Sequence, residues 1–252
     1  MKAVCFTLEG RTAFFKKPEV NTYVYFTYGN IHKVALLGLF GAVLGYGGYT
    51  QQRNQTGRKK QLEKGFPEFY EKLQHLNIAI CPCAEKGFIR KKIQTFNNSV
   101  GYASKEAGGN LIVKEQWLEE PAWEIYVLLD SDEAIKLSEV LKKGECVYVP
   151  YLGKNDHVAD IKNVHIVEMK ENPTGKGNIY DMFPKENQVQ CGEKSSVWDN
   201  GDVTYRYEEK LPYELNEWTN NYILSSFVYT DAIVAWENQK VYCDQNKNLM
   251  FY

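Results

Sequence analysis

The chain has 252 residues, 44% hydrophobic and 25% charged, with a net charge of −2, which is enough material for a sizeable core and too little bias anywhere for a disordered segment. The near-neutral balance hides an asymmetry: residues 1–126 carry 17 Lys and Arg against 11 Asp and Glu, residues 127–252 carry 13 against 21, and the first aspartate is Asp130. A basic half beside an acidic half points to one face for a polyanion and another for solvent or a basic partner.

Lys2–Gly10 alternates, with Val4, Phe6 and Leu8 on one face, as a first strand does. Arg11–Asn21 continues extended through the basic pair Lys16-Lys17, and Pro18 prevents a helix there. Thr22–Tyr28 is β-branched and aromatic and ends at Gly29-Asn30. Ile31–Gly45 then has almost no polar residue after Lys33 and reads as a helix. Within it Gly38, Gly41 and Gly45 share one face, at about 100° of rotation per residue. Each glycine costs about 1 kcal/mol against alanine in a helix interior. Close approach of another backbone, a sheet or a polynucleotide, would offset that loss. The other faces are apolar, so the helix is expected to be buried. Its apolar run of about eleven residues is too short for a bilayer core, which needs about 20.

Gln51–Lys64 is polar and basic, and reads as a solvated loop or as a segment contacting phosphates. Phe66–Leu76 has the pattern of a short amphipathic helix. Asn77–Pro82 and Gly87–Phe96 read as two strands of a hairpin, the second with Arg90, Lys91 and Lys92 at its edge. The stretch 97–121 exceeds the roughly 12–15 residues of a structureless loop, so a protruding arm is expected. Trp123–Leu129 is a strand, followed by a helix that starts at Asp130-Ser131 and stops at Gly144. Cys146–Val149 and Val164–Met169 read as further strands. The succession strand, helix, strand, strand, strand, helix, strand predicts an α+β, ferredoxin-like unit over residues 1–170, the arrangement of many RNA-binding domains. Residues 171–252 are turn-rich with short β runs and are expected to form a smaller C-terminal β subdomain.

Motifs for common chemistries are missing. Gly45-Tyr46-Gly47-Gly48 lacks the last glycine of a dinucleotide fingerprint, Thr174-Gly175-Lys176-Gly177 lacks the parts of a P-loop, and neither HExxH nor GxSxG occurs. The cysteines are scattered, and Cys81-Pro82-Cys83 is neither a zinc knuckle nor a redox CxxC, so no metal or cofactor is expected. No export signal or membrane span is read, so a cytoplasmic location with reduced thiols is expected. The exception among the histidines is His32, next to Lys33 at the start of the glycine helix. There a general base and a phosphate-binding cation would suit RNA strand cleavage.

The segment GRTAFFKKPEVNTYVYFTYGNIHKVALLGLFGAVLGYGGY resembles the N-terminus of the CRISPR-associated Cas-five proteins of the RAMP superfamily. In that family an aromatic-rich first strand carries a basic residue before a proline and leads into a helix similar to GLLGAILG. EPAWEIYVLL, VYVPYLGKNDHVADI, LPYELN, FVYTDAIV and LMFY resemble its later segments in the same order, and Tyr151-Leu152-Gly153 with Ala159 is a fairly specific short pattern. The likeness covers nearly the whole chain and is greatest to the type I-B version. It implies a non-catalytic, RNA-binding subunit of the antiviral surveillance complex Cascade. Such a subunit grips the 5′ handle of the CRISPR RNA, caps the filament of backbone subunits, contacts the large subunit and meets target DNA only through the complex. The arm at 97–121 would be the family's thumb. On the family pattern Lys16 and Lys17 occupy the basic position before the proline. Charge and placement add Arg11, Lys33, Arg53, Arg58, Arg90 and Lys91, with Tyr23 and Tyr46 as stacking candidates. In type I-C systems the corresponding member is itself a metal-independent endoribonuclease that processes repeat RNA, a role for which His32 and Lys33 would be the catalytic candidates.

Overall fold

The structure, a computed structural model, describes residues 1–19, 23–56, 65–99, 101, 105–185, 189–191, 205–236, 239–245 and 247–252, with the backbone alone at 53–56 and 189–191. Up to residue 168 the elements are β1 (Lys2–Glu9), β2 (Thr12–Ala13), α1 (Lys33–Leu44), α2 (Tyr49–Thr56), α3 (Glu68–Leu73), β3 (Ile78–Pro82), β4 (Lys91–Asn97), β5 (Ile112–Glu119), β6 (Ala122–Leu128), α4 (Asp132–Lys143) and β7 (Asp160–Glu168). The central sheet has the order β3-β6-β1-β7, with every neighbouring pair antiparallel. α1 lies in the connection from β1 to β3, and α4 in the connection from β6 to β7. The fold is mixed α/β, mostly antiparallel sheet with few helices.

The alternation read in β1 sorts its residues between two cores. Val4, Phe6 and Leu8 pack with Leu36, Leu37 and Phe40 of α1 and Leu137 and Leu141 of α4. Ala3 and Cys5, with Tyr126 and Leu128 of β6, meet Tyr242, Leu249 and Phe251 on the opposite face. That second cover is the antiparallel pair Val241–Asp244 and Lys247–Met250. The strands β1, β3 and β6 are therefore covered on both faces, while β7 at the sheet edge stays partly exposed. The longest strands of the last third, Arg206–Leu215 and Tyr222–Thr230, form an antiparallel pair. Their Leu211, Leu215 and Phe227 join the same core as α1.

Local signals place the two main helices. α4 is capped by Ser131, whose hydroxyl accepts from the Ala134 N–H, and ends at Gly144 with φ of 67°. α1 is capped by His32 and ends at Gly45 with φ of 79°. Its glycines are explained differently from expectation. A Cβ on Gly41 would lie 2.5 Å from the Phe69 Cβ, and one on Gly45 would lie 3.0 Å from Val147, so α3 and the segment after α4 take the space. At these two positions the close neighbours are side chains, not a sheet or polynucleotide backbone. Gly38 meets nothing nearer than 3.8 Å.

Three expectations fail. The stretches 77–82 and 87–96 do not pair with each other: β3 joins β6, and β4 joins β5. Lys86 and Gly87, with φ of 57° and 72°, turn the chain away, and the Gly87 carbonyl accepts from Asn30 Nδ2 at 3.1 Å. β4 and β5 pair with each other from Lys91 opposite Leu118 to Asn97 opposite Ile112. Cys146–Val149 is not a strand. Its Val147 and Tyr148 N–H groups donate at 3.0 Å each to carbonyls at the end of α1, Val147 to Val43 and Tyr148 to Ala42, which also accepts from the Gly45 N–H at 3.3 Å. Within Gln51–Lys64 the part up to Thr56 belongs to α2, and residues 57–64 lie outside the described set. No helix among the described residues is long and apolar enough to cross a membrane.

Candidate functional site

A groove of about 850 Å³ runs along α1. Ala35, Gly38 and Ala42 line it from the helix, and Tyr49, Phe69, Tyr148, Tyr151 and Tyr222 give it aromatic walls. One wall is a ribbon in which residues 14–17 lie against 25–28. The Tyr28 N–H donates to the Phe15 carbonyl and the Lys17 N–H to the Phe26 carbonyl, both at 2.9 Å, and Lys16 pairs with Thr27. The ribbon is fastened to the Tyr151-Leu152-Gly153 turn, where the Phe14 N–H donates to the Leu152 carbonyl at 3.0 Å. Gly153 has φ of 89°, and the Phe14 carbonyl occupies the space of a Cβ there. Only glycine fits, so this part of the short pattern is a packing requirement.

Two cations reach the groove. Lys16 is exposed, with its ammonium 3.9 Å from the Tyr25 ring centroid. Lys154 holds both oxygens of the buried Glu115, at 3.2 and 3.3 Å, and lies 3.4 Å from Asp156. Glu115 also accepts from Trp117 Nε1 of the same strand at 2.8 Å, and its bonds to Lys154 tie β5 to the groove. Beside it the buried His157 lies 2.6 Å from the Thr12 hydroxyl and edge-on to Trp117. Burial lowers its pKa.

Lys17 faces elsewhere. Its ammonium is 3.7 Å from Glu209 on the strand Arg206–Leu215. Both Glu209 oxygens accept from the Gly29 N–H at 3.0 Å, and one accepts from the Tyr207 hydroxyl at 2.7 Å. Lys91 joins this group: burial lowers its pKa, Glu209 opposes that, and Lys17 adds to it.

His32 is buried among Phe15, Tyr28 and Tyr222, with ring centroids at 6.0, 5.3 and 5.3 Å. Burial pushes its pKa down to about 3. Its Nδ1 accepts from the Ala35 N–H at 3.1 Å, so the ring proton sits on Nε2. Lys33 is buried in the first turn, 5.3 Å from the Tyr213 ring centroid. Burial pushes its ammonium down to about 8, with Glu214 pulling the other way. Tyr46 lines the groove, but its hydroxyl bonds Glu133 and Lys136, and Lys72 lies 4.3 Å from its ring centroid. Tyr23 is 83% exposed, and Arg11 and Arg90 are exposed away from the groove lining. Arg53 is on α2 with only its backbone described, and Arg58 lies outside the described residues.

Of the ten expected RNA contacts, Lys16 and Tyr46 line the groove, and Lys17 and Lys91 form a second group. Lys154, Glu115, Glu209 and the tyrosines at 49, 148, 151 and 222 were not anticipated. Lys154 directly follows the Tyr-Leu-Gly turn, the one clue available to it. Among the described residues no group of three or more His, Cys, Asp or Glu is placed to hold a metal ion.

No protein-family profile and no curated protein matches the sequence. Solved structures do. The chain is similar over 99% of its length, and 98% of the other, to a CRISPR protein from Archaeoglobus fulgidus, with a TM-score of 0.53 and 13% identity. A chain of a CRISPR RNA-guided surveillance complex matches with a TM-score of 0.50 and 12% identity, covering 91% of this chain and 90% of that one. A chain of the type III-B Cmr-beta complex bound to cognate target RNA and AMPPnP matches with a TM-score of 0.50 and 10% identity, covering 93% and 86%. At these identities the likeness is one of fold. The chain has the fold of CRISPR-associated proteins, taken over nearly its full length.

Proposed function

We propose that this chain is a Cas-five-type, RNA-binding subunit of a type I CRISPR surveillance complex, most like that of type I-B systems, and that it grips the 5′ handle of the CRISPR RNA. The observation that carries the reading is the aromatic groove along α1 with Lys16 and Lys154 at its wall. Unpaired bases stack on aromatic rings for roughly 1–3 kcal/mol each, and ammonium groups hold the phosphates between them. The order of strands and helices in the central sheet fits a ferredoxin-like unit. The β4–β5 hairpin takes the place of the family's thumb. RNA-recognition sheets of this kind bind on their open face, whereas here the β1, β3 and β6 part of that face is packed under Tyr242, Leu249 and Phe251, which favours the groove. In such a complex, partners are the backbone and large subunits, with target DNA met through the assembly.

The non-catalytic form of this reading is favoured by His32. With Nδ1 engaged by the cap and the proton on Nε2, its ring has no free site to take a proton from a ribose hydroxyl. The test uses end-labelled repeat RNA and the purified chain in EDTA, reading both mobility shift and cleavage. The expected result is a shift without cutting, weakened by Lys16→Ala with Lys17→Ala and by salt. Discrete cutting that His32→Asn abolishes, while the melting temperature is kept, overturns it in favour of the endoribonuclease.

A further inference from the structure

Lys16 and Lys17 are neighbours in sequence but belong to opposite flanks of the ribbon. Successive side chains of an extended segment point to opposite sides. Lys16 lines the groove together with Lys154. Lys17 turns toward the C-terminal sheet, where its ammonium lies 3.7 Å from Glu209 and 5.2 Å from the Tyr28 ring centroid, near Lys91. None of Lys17, Lys91 and Glu209 borders the groove. Glu209 is already satisfied by the Gly29 N–H and the Tyr207 hydroxyl, at 3.0 and 2.7 Å. Its contact with Lys17 is the longest of the three, and the one a phosphate displaces at least cost. Phe26, opposite Lys17 in the ribbon, stands 44% exposed on that same flank, a stacking surface for a base that has crossed the ribbon.

We propose that the ribbon is a saddle over which single-stranded RNA passes, with a separate phosphate site on each flank: Lys16 and Lys154 on the groove side, Lys17 and Lys91 on the far side. The proposal rests on the RNA-binding reading above and adds the path of the strand. It makes the two lysine pairs differ in the length of RNA they sense. A short oligonucleotide held by the aromatic groove reaches only the first pair, and a longer one reaches both.

The experiment is fluorescence anisotropy of the full chain with single-stranded repeat RNAs from about four to about sixteen nucleotides, titrated at several salt concentrations. The variants are K16A/K154Q, where glutamine keeps a donor for Glu115, and K17A/K91A, each first checked for an unchanged melting temperature. K16A/K154Q is expected to weaken binding at every length. K17A/K91A is expected to weaken only the longer RNAs, roughly tenfold, with the salt slope falling by about 0.7 for each lysine lost. Equal losses from both pairs at every length overturn the two-flank saddle and leave the RNA-binding reading standing. So does a K17A/K91A variant that binds every length like the wild type. A wild-type chain that binds none of the RNAs overturns the RNA-binding reading itself, and the saddle with it.

Discussion

Glu209 shows how much of this molecule's order passes through single polar side chains. It collects the Gly29 N–H, the Tyr207 hydroxyl and the Lys17 ammonium, and so fastens the segment before α1 to the strand Arg206–Leu215. The three contacts are unequal. A partly exposed ion pair is worth about 0–1 kcal/mol, while a partly buried donor left without an acceptor costs about 1–3 kcal/mol. Glu209→Ala is therefore expected to lower stability by roughly 2–4 kcal/mol in urea unfolding, through two stranded donors. Lys17→Ala is expected to change stability by less than about 1 kcal/mol. If the two variants are equally destabilised, the backbone anchor is not what Glu209 supplies. His32 carries a pH signature of its own. Its folded-state pKa, about 3, lies below the ordinary 6.5. The unfolded chain thus takes up a proton that the folded one refuses, and this group's contribution is whole above pH 6.5 and is lost as the pH falls toward 3.

At the scale of an element, α1 separates two uses of glycine that look alike in sequence. Gly41 and Gly38 are one turn apart on neighbouring positions of one face, but only Gly41 is pressed by Phe69. Replacing either by alanine gains about 1 kcal/mol of helix propensity. At Gly41 a Cβ 2.5 Å from the Phe69 Cβ forces α3 outward, and overpacking of this kind costs about 1–3 kcal/mol, so Gly41→Ala is expected to be net destabilising. Gly38→Ala meets only an ordinary contact at 3.8 Å and is expected to raise the melting temperature. Because Gly38 lines the groove, the same methyl group narrows it, and binding of single-stranded RNA should weaken. A Gly38→Ala chain that is more stable and binds RNA with unchanged affinity would place the RNA elsewhere.

For the whole molecule, the central sheet is closed on one side by α1 and α4 and on the other by the C-terminal pair of strands, and Asp181 sits in the join. Its side chain is fully buried. One oxygen accepts from the Met250 N–H at 2.9 Å and the other has no partner among the described residues, while the next residue, Met182, donates its N–H to the Ile80 carbonyl of β3. Burial raises the pKa of Asp181 from 3.8 to about 8. Between those values the folded chain holds a proton that the unfolded chain has released. Stability from this group is therefore whole below about pH 3.8 and falls as the pH rises through about 8. Asp181→Asn keeps an acceptor for Met250 and has no charge to lose. Thermal unfolding should find it close to the wild type near pH 4 and more stable near pH 8, and a constant difference across that range would sink the assignment.

The sequence by itself determined the parts whose causes are local. The alternation of Lys2–Glu9, the apolar strand Ala122–Leu128, and the caps Ser131 and Gly144 around α4 all act within a few residues, and the structure keeps them nearly where they were read. The likeness to CRISPR-associated proteins was also carried by residues in their order along the chain. Tertiary structure decided what depends on partners far away. β3 took β6 rather than β4, because two left-handed residues at 86 and 87 redirect the chain and any exposed strand edge offers the same hydrogen bonds until geometry chooses among them. Val147 and Tyr148 closed the end of α1 instead of forming a strand. The groove needed Lys16, Gly38, Tyr49, Lys154 and Tyr222 to converge from five separate stretches, and no spacing along the chain encodes that. The adjacent lysines 16 and 17 were legible as a pair. That they face opposite ways follows from the extended backbone between them, which only the folded ribbon imposes.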